Sequence, residues 1–543
     1  MKNKISILLL VISSFILGSC NDFLDTTPSD RLSDKVIWKD YKSVEIYVNS
    51  FYPYIDRYGT FGNSEFSGNM TDGLTETFKY GSYAPGTMAG DANNYSMIPE
   101  SISPTGNLLG TWAVTYERIR RVNEFLVGME KYSTLSAAAN ERFMAEARFF
   151  RAFLYFQLAK RHGGVILYKD LDLVKDKNRS TAAETWDLIE QDLDFAASKL
   201  PKVWESAQSG RVTKGAAFAF KSRAMLYAER WDKAKVAADS VFALNLYSLT
   251  PQYKDAWKGS NSESILQYSY VKTGPYHNFN RDYAPFGDIE NEGGKGTPTQ
   301  EMVESYEKTD GTTIDWTPWH GTTTTPPPYA QLEPRFHATV IYNGCSWKGH
   351  VMQNSVGGQY GKFMGYREDV YAKGRTVTGY YLRKLMDETH TDLINYKSTQ
   401  TWVEIRLAEV YLNRAEANYR LGKEGDALND INAVRGRAGV NLPAKIGLTG
   451  TAVFDAIRKE RKIELAYENH LYWDMRRWKL AHTAYNNYRV HGLKITPAGN
   501  GYSYEYVDCD LQDRKFLQKT YVMPIPSSEI SNNSAIQQYD EWK

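Results

Sequence analysis

Three charged residues near the carboxyl end of the sequence have a spacing that could support chemistry. Arg461, Glu464 and Glu468 lie in the stretch 454–479, which contains neither Gly nor Pro and is rich in helix-favouring residues. At helical pitch they share one face with apolar residues. Two carboxylates on one face could act as a general acid and base, but charges inside an apolar stripe are costly unless paired. We therefore predict one long helix in which Arg461 is buried and pairs with Glu464 or Glu468.

The usual signatures of catalysis are not found in the sequence. It contains no HExxH, GxSxG or CxxC motif, no Walker loop and no GxGxxG that opens a helix. The nine histidines are scattered and show no metal-ligand spacing. Carboxylate pairs alone do not indicate glycosidase chemistry, because that reaction depends on their separation in space. The sequence therefore supports neither an enzyme nor a bound cofactor or metal.

Aromatic residues in irregular segments indicate a different kind of chemistry. Aromatic side chains make up 14% of the chain, with 39 Tyr and 13 Trp. A sugar ring has an apolar face of C–H groups and an edge of hydroxyls, so its binding site needs flat rings beside polar side chains. Two segments combine both: residues 72–95 contribute Asp72, Tyr80, Tyr83, Asn93, Asn94 and Tyr95, and residues 276–347 contribute Tyr276, Tyr283, Trp316, Trp319, Tyr329 and Trp347. We predict a ligand-binding surface there, although each ring could instead pack its own loop.

Trp316 and Trp319 are the strongest candidates for stacking on a ligand. They lie in a loop rich in Pro, Gly and Thr, where packing into a core is least expected. Pro318 breaks the chain between them, so both rings could be presented on one surface.

Helices are expected to form the framework that positions these loops. Apolar and aromatic residues recur at helical spacing at 36–57, 111–131, 137–161 and 181–199. Residues 58–110 are dominated by Gly, Asn, Ser, Thr and Tyr without a period, which predicts a long structured loop.

Two further segments, beginning at Val212 and Ile405, resemble each other. Each contains a helix with small residues, a short turn and a second helix, and each fits the tetratricopeptide period of ~34 residues. Small residues let such paired helices interlock. Residues 251–400 separate the two segments and are predicted to form a loop-rich insertion with short strands and turns. Residues 483–543 are predicted to be irregular and to wrap the body.

The first 20 residues predict export and lipid attachment. A basic start is followed by an apolar run that ends at small residues, which is typical of a secretory signal and too short for a spanning helix. The motif LGSC resembles a bacterial lipobox, so cleavage after residue 19 would leave Cys20 to carry lipid. Residues 20–35 are then a polar, lipidated tether, and residues 36–543 are expected to form a single unit.

The bulk composition limits the possible partners. The 543 residues are 42% hydrophobic and carry a formal net charge of +1, which becomes −1 when Lys2 and Lys4 leave with the signal. A nearly neutral chain offers no electrostatic attraction to nucleic acid or to an anionic membrane, so membrane attachment is expected through the lipid alone. The two remaining cysteines, Cys345 and Cys509, could form at most one disulfide.

The sequence ERKIELAYENHLYWDMRRW, inside the stretch 454–479, is similar to the signature of the SusD/RagB family of Bacteroidetes surface lipoproteins. The usual form is close to ERRxELAFEGxRWxDLxRW, and here Asn469 and His470 replace the common Gly and its neighbour. Further family-like segments stand in the family's order at FLDTTPSDRLSD from Phe23, EPRFHATV from Glu333, IRLAEVYLNRAEA from Ile405 and YVMPIPSSEI from Tyr521. The resemblance spans nearly the whole mature chain and is much more specific for family than for ligand.

The resemblance implies a mainly α fold. Tetratricopeptide-like helical repeats at about 36–250 and 401–482 would carry the loop-rich, ligand-binding insertion at 251–400. It also implies that the ligand surface is built from loops in the two aromatic segments, and that an Asp near Asp72 contacts the ligand.

For function, the resemblance implies a cell-surface glycan-binding lipoprotein of the outer membrane. It would deliver oligosaccharides to a SusC-like TonB-dependent outer-membrane barrel. The RagB branch of the family handles peptides, so peptide uptake or protein interaction on the same scaffold is the alternative. A concave, exposed aromatic strip would favour a glycan, whereas a deep cavity shared with the barrel would favour a peptide.

Overall fold

A computed structural model of the protein describes residues 34–62, 70–80, 102–171, 174, 176–290, 292–364, 374–510 and 513–543. Helices dominate these residues, and the strands are short except for one hairpin. The mainly α fold predicted from the sequence is confirmed. Among the residues described, no helix combines the length and the apolar character needed to cross a bilayer.

Helices form most of the described residues before position 250. Their bounds are α1 Asp34–Ile37, α2 Tyr41–Asn49, α3 Pro53–Tyr58, α4 Trp112–Tyr132, α5 Ala137–His162, α6 Ala182–Lys199, α7 Lys214–Tyr227 and α8 Trp231–Ala243. The helix predicted at 36–57 is divided into three. Asp40 begins α2 by accepting a hydrogen bond from the Ser43 N–H at 2.7 Å, and Pro53 begins α3, where its missing N–H is not needed.

Helix α5 lies at the centre of these helices. Most of its residues from Phe143 to His162 are buried, as expected for a helix that is covered on every side. It packs between α4 and α6, and Gly163 ends it with a φ of +68°, which favours glycine. Within α5, Arg151 donates to both carboxylate oxygens of Asp192 on α6, at 2.7 and 2.9 Å, so the two helices are joined by a buried ion pair.

Short elements occupy residues 251–406. The helices are α9 Phe279–Tyr283, α10 Gln300–Glu304 and α11 Pro334–Thr339. The strands, after β1 Phe78–Tyr80 earlier in the chain, are β2 Ser264–Tyr268, β3 Gly296–Pro298, β4 Thr322–Thr323, β5 Val340–Ile341, β6 Ser346–Trp347, β7 His350–Val351, β8 Tyr381–Leu382 and β9 Trp402–Arg406. They form antiparallel pairs: β1 with β3, β2 with β9, β5 with β8 and β6 with β7. Because β9 leads directly into the next long helix, the β2–β9 pair connects these elements to the helical scaffold.

Two helix pairs form the repeat scaffold. Helices α7 and α8 are the first pair, and α12 Leu407–Arg420 and α13 Glu424–Arg435 are the second. Helix α8 also packs against α12, so the pairs stack on each other. Buried small residues on these helices include Ala216, Ala234, Ala238, Ala415 and Ala427. Their short side chains allow close helix contacts, and the predicted tetratricopeptide-like scaffold is confirmed.

The stretch 454–479 forms two helices, so the prediction of one long helix is wrong. Helix α14 Thr451–Glu464 is followed by α15 Leu471–Arg477 and then by α16 Ala481–Ala484. Tyr467 and Asn469, which lie between α14 and α15, have φ angles of +64° and +61°, and such angles interrupt a right-handed helix. The Glu464 carbonyl accepts hydrogen bonds from Arg406 at 2.7 Å and from Lys384 at 2.9 Å. These side chains supply the hydrogen bonds that a further helical turn would otherwise have donated to this carbonyl.

Arg461, Glu464 and Glu468 are buried, as predicted, but the predicted pairing is wrong. Arg461 donates to Asp474 on α15 at 2.8 Å instead. Both glutamates are held by Arg406, which donates to Glu464 Oε1 at 2.8 Å and to Glu468 Oε2 at 2.9 Å. The partner of the glutamates therefore comes from β9, far away in the sequence.

Arg406 is the centre of a larger buried ion network. It also donates to Glu263 at 2.8 Å, and Lys384 donates to Glu468 at 2.6 Å. Burial opposes ionisation of Glu468, but Arg406 and Lys384 outweigh it and lower the pKa of that carboxyl to about 2. Further cations that donate to Glu464 are Arg335 at 3.1 Å and Arg437 at 2.8 Å. Glu464 and Glu468, whose pKa values are both lowered, are thus charged and depend on these shared cations.

The end of the chain contains α17 Ser527–Asn532 and a long hairpin, so the prediction that 483–543 is irregular is wrong in part. Strands β10 His491–Ala498 and β11 Gly501–Asp508 pair over their full length, and β11 also pairs with β4. The two-residue turn at Gly499 and Asn500, followed by tyrosines at alternate positions, is a hairpin signal that the sequence analysis missed.

Residues after the hairpin stabilise the region around β1 through an ion pair and hydrogen bonds. Asp510 pairs with Lys79 at 3.0 Å, and Arg514 donates to the carbonyls of Gly73 at 3.2 Å and Phe78 at 3.3 Å. These groups are buried, so the two ends of the described chain share one core. The cysteines considered for a disulfide, Cys345 and Cys509, are both free and buried.

Replacement of Arg406 with Ala should destabilise the protein by about 3–5 kcal/mol, because three buried carboxylates lose a shared cation. The matched control is Arg120→Ala, which removes an exposed arginine that pairs with Glu124 at 3.0 Å and should cost less than about 1 kcal/mol. Thermal and denaturant unfolding of both variants measures the difference. Equal transition midpoints for the two variants would contradict a structural role for the network.

Candidate functional site

The structure buries most of the residues predicted to bind ligand. Side chains that are 9% exposed or less belong to Asp72, Tyr80, Tyr283, Trp316, Trp319, Tyr329 and Trp347. Tyr276 differs from them, since its side chain is 51% exposed. The predicted residues Tyr83, Asn93, Asn94 and Tyr95, and the predicted lipidation residue Cys20, lie outside the described residues.

Trp316 and Trp319 do not present flat faces to solvent in this structure, contrary to our expectation. Their rings contact each other edge to face with centroids 5.5 Å apart, and Trp319 donates its indole N–H to the Thr325 carbonyl at 3.0 Å. The 3₁₀ turn that contains Trp319 lies against β4 and β11. The hairpin missed in the sequence therefore covers the loop that was expected to display both rings.

Trp347 and Tyr329 likewise stabilise the insertion. Trp347 donates to Asp288 at 3.0 Å, whereas the Tyr329 hydroxyl lies 2.9 Å from the Tyr380 hydroxyl. Tyr329 also stacks on Phe336 with ring centroids 5.6 Å apart. Rings fixed in this way act as core residues with satisfied polar ends.

Asp72 is buried in a 3₁₀ helix, Thr71–Leu74. Its Oδ1 accepts a hydrogen bond from the Tyr467 N–H at 3.2 Å, whereas Oδ2 has no hydrogen-bond partner in the described part of the chain. Burial raises the pKa of this carboxyl to about 7, because one backbone hydrogen bond compensates little of the lost hydration. At 1% exposure, Asp72 cannot contact a ligand in this arrangement.

A cleft of about 280 Å³ brings Tyr276 and Tyr283 together, and we call it the Tyr276 cleft. It lies between α3 with the turn that follows it and α9. Its lining residues are Asp56, Arg57, Thr60, Phe61, Gly62, Tyr276, His277, Asn278, Phe279, Asp282, Tyr283 and Lys295. Two of the twelve residues predicted to bind ligand thus meet at one cavity.

His277 holds the base of the Tyr276 cleft in place. Its ring stacks on Phe61 with centroids 4.1 Å apart, and its Nε2 lies 3.0 Å from the Gln400 carbonyl. Its backbone pairs with Ser398 through hydrogen bonds of 3.0 and 2.8 Å. Burial lowers the pKa of His277 to about 4, so the ring is neutral at physiological pH and donates to that carbonyl. His277 is therefore a structural residue that positions Tyr276.

The polar groups of the cleft surround the exposed ring. Lys295 lies 3.7 Å from Asp282, and burial raises the pKa of that carboxyl. Asn278 contributes an amide that can both donate and accept. A half-exposed aromatic face beside amide, ammonium and carboxyl groups has the composition expected of a site for polyhydroxylated rings. No group of three or more His, Cys, Asp or Glu side chains is arranged to hold a metal in the described segments.

A second exposed ring, Tyr396, was missed by the sequence analysis. It is 58% exposed, and its loop is joined to the Tyr276 loop by the His277–Ser398 pairing. Ile394 and Val271 on the same two loops are also exposed. Tyr396 stands in the sequence DLINYK, where a single aromatic residue gave no periodic signal. The exposed aromatic surface therefore continues from the Tyr276 cleft onto this loop.

Asp72→Asn should raise the thermal midpoint by a few degrees at pH 8 and by less at pH 5. The folded pKa of Asp72 is raised above its ordinary 3.8, so its contribution to stability is fully present below pH 4 and is lost as pH rises to about 7. Asparagine has nothing to ionise and escapes that loss. Thermal unfolding across pH 4–8 measures the difference in midpoint between Asp72→Asn and the wild type, with exposed Glu130→Gln as the control. A difference that does not change with pH would contradict the raised pKa of Asp72.

Comparisons with known proteins identify the family. The model of the SusD family matches residues 262–542, and a model described as "Starch-binding associating with outer membrane" matches residues 22–226. SusD-like protein P38 of Formosa agariphila is 24% identical over 501 residues, which are 87% of this chain and 91% of that protein. A SusD-like protein of Bacteroides ovatus is 23% identical, with 88% and 83% coverage.

Solved structures agree with this result. A SusD-like protein from Bacteroides fragilis has a TM-score of 0.79 at 26% identity, with 95% of this chain and 100% of that chain covered. A laminarin-binding SusD-like protein has a TM-score of 0.63 at 22% identity, with 93% and 100% coverage. Since the SusD family model covers more than half of the sequence, the chain belongs to the SusD/RagB family.

Proposed function

We propose that this protein is a cell-surface glycan-binding lipoprotein that supplies oligosaccharides to a TonB-dependent transporter of the outer membrane. The observation that carries the proposal is the half-exposed ring of Tyr276 above a cleft with polar side chains. The C–H face of a sugar would lie on the ring, and its hydroxyls would reach Asn278, Asp282 and Lys295.

The family supports a glycan as the ligand. One family model is described as starch-binding, and one similar solved structure is a laminarin-binding protein. Starch and laminarin are neutral glucose polymers, so neither requires a strongly charged site. The balanced charges of the cleft, in which Lys295 faces Asp282, suit a neutral ligand.

The location of the protein is proposed from its amino terminus and from the family. The LGSC motif would leave Cys20 as the lipidated first residue, and residues 20–35 would separate the lipid from the folded unit. A SusC-like barrel is the expected partner, because lipid anchoring places the protein at the membrane without carrying the ligand across it.

Tyr276→Ala should weaken glycan binding roughly tenfold or more, which corresponds to ~1.4 kcal/mol, since the stacking platform is removed. The control is Tyr132→Ala, which removes an exposed ring at the end of α4. Affinity gels with laminarin, starch and a panel of other neutral polysaccharides identify the ligand, and calorimetry gives the dissociation constants. Circular dichroism checks that both variants fold.

Two results of this experiment would oppose the proposal. Full affinity in Tyr276→Ala would place the site elsewhere, and retention by no polysaccharide would remove glycan binding itself. Binding of an oligopeptide mixture by the wild type in that second case would favour peptide uptake.

Cys20→Ala should abolish lipid attachment and release the protein from membranes, because no other residue of the predicted lipobox carries a thiol. Metabolic labelling with a fatty-acid analogue, followed by membrane fractionation, measures both effects. Ser19→Ala keeps the thiol and serves as the control. Labelling that persists in Cys20→Ala would show that the lipid is elsewhere.

A further inference from the structure

A second and larger cavity lies behind one wall of the Tyr276 cleft. Its volume is about 600 Å³, within the range of small-molecule sites, and none of its lining residues belongs to the Tyr276 cleft. We call it the Trp257 cleft. Its lining includes the side chains of Gln252, Trp257, Thr399 and Thr401.

Gln400 forms the wall between the two clefts. Its carbonyl accepts the hydrogen bond from His277 on one side, at 3.0 Å. Its side chain donates to the Leu385 carbonyl at 2.8 Å, and the residue lines the Trp257 cleft. The clefts are therefore neighbours with separate linings.

Trp257 lines the cleft with an indole N–H that the described part of the fold does not use. Its side chain is 5% exposed, and its indole N–H makes no hydrogen bond with any described residue. The ring is fixed by an edge-to-face contact with Tyr253 at 5.0 Å and by the Lys384 ammonium 5.2 Å from its centroid. Because the ring is already fixed and lines the cleft, an acceptor bound there would gain this hydrogen bond at little ordering cost.

The charged groups around the Trp257 cleft are largely satisfied within the protein. Arg383 donates to both oxygens of Glu388 at 2.9 and 3.1 Å, and Lys258 pairs with Asp255 at 2.8 Å. Asp387 accepts two hydrogen bonds from Thr389, at 2.9 and 2.7 Å. An ionic ligand would have to compete with these contacts.

Uncharged groups, in contrast, are available. The side chains of Gln252, Thr399 and Thr401 line the cleft and make no hydrogen bonds to the described remainder of the protein. Hydroxyl and amide groups both donate and accept, as sugar hydroxyls do. Together with the Trp257 N–H they offer uncharged donors and acceptors in one cavity.

We propose that the Trp257 cleft is a second carbohydrate site, which takes a short neutral oligosaccharide independently of the Tyr276 cleft. The inference rests on the proposed glycan-binding function and adds a second point of attachment. Two sites on one rigid body would let a long polysaccharide bind more tightly than its short fragments, because the second contact becomes intramolecular.

The test follows the indole signal of Trp257 by NMR in protein labelled with ¹⁵N-tryptophan, with Trp257→Phe used to assign it. The probes are laminari-, malto-, cello-, xylo- and mannohexaose, with trialanine as a peptide probe. We expect at least one hexasaccharide to shift the signal in the wild type, in Tyr132→Ala and also in Tyr276→Ala. The double variant Gln252→Ala with Thr399→Ala changes side chains that are not buried, so the fold should be kept. This variant should require at least fivefold more of that sugar for the same shift.

The results separate this proposal from the proposed function. A shift that is lost in Tyr276→Ala would come from the first site and overturn the second. If polysaccharide gels retain the protein but no hexasaccharide shifts the signal, the second site is overturned and the proposed function stands. If no hexasaccharide shifts the signal and no polysaccharide gel retains the protein, both proposals are overturned. A shift with trialanine but with no sugar would make the cleft a peptide site and contradict the inference.

Discussion

The ion network around Arg406 is the interaction on which the rest of the structure depends. Arg406 ends β9, Glu263 precedes β2, and Glu464 ends α14, so one guanidinium joins the helical scaffold, the insertion and the family signature. Lys384 adds the segment that lines the Trp257 cleft. Burying so many charges is costly, and the cost is offset only while every carboxylate keeps its cations. The signature is thus a framework feature, and the clefts lie on elements that it positions.

The same network shows how far the sequence could predict the fold. Apolar spacing located the long helices and the paired repeats, because those patterns are local. The burial of Arg461, Glu464 and Glu468 was also predictable, since they lie in an apolar stripe. Their partners were not, because Arg406 and Asp474 could be chosen only with the tertiary arrangement known. Charge pairing over long sequence distances leaves no periodic signal.

The candidate site was predictable to a smaller extent. Composition located Tyr276 correctly on an exposed loop, but the same reasoning placed Trp316 and Trp319 at the surface. The hairpin β10–β11 covers them, and its turn at Gly499 was present in the sequence without being used. Loop composition reports that a segment is irregular, whereas exposure depends on what else in the chain lies against it.

The contact of Arg514 with the carbonyls of Gly73 and Phe78 has a consequence for the order of folding. The first of these contacts joins residues 441 positions apart in the sequence. Closing so long a loop is entropically expensive, and contacts of this kind form late in folding. Residues near the start of the described chain therefore reach their final packing only after residues near its end have folded against them. Because a chain is synthesised from its amino terminus, the region around β1 completes its packing only when synthesis is nearly finished.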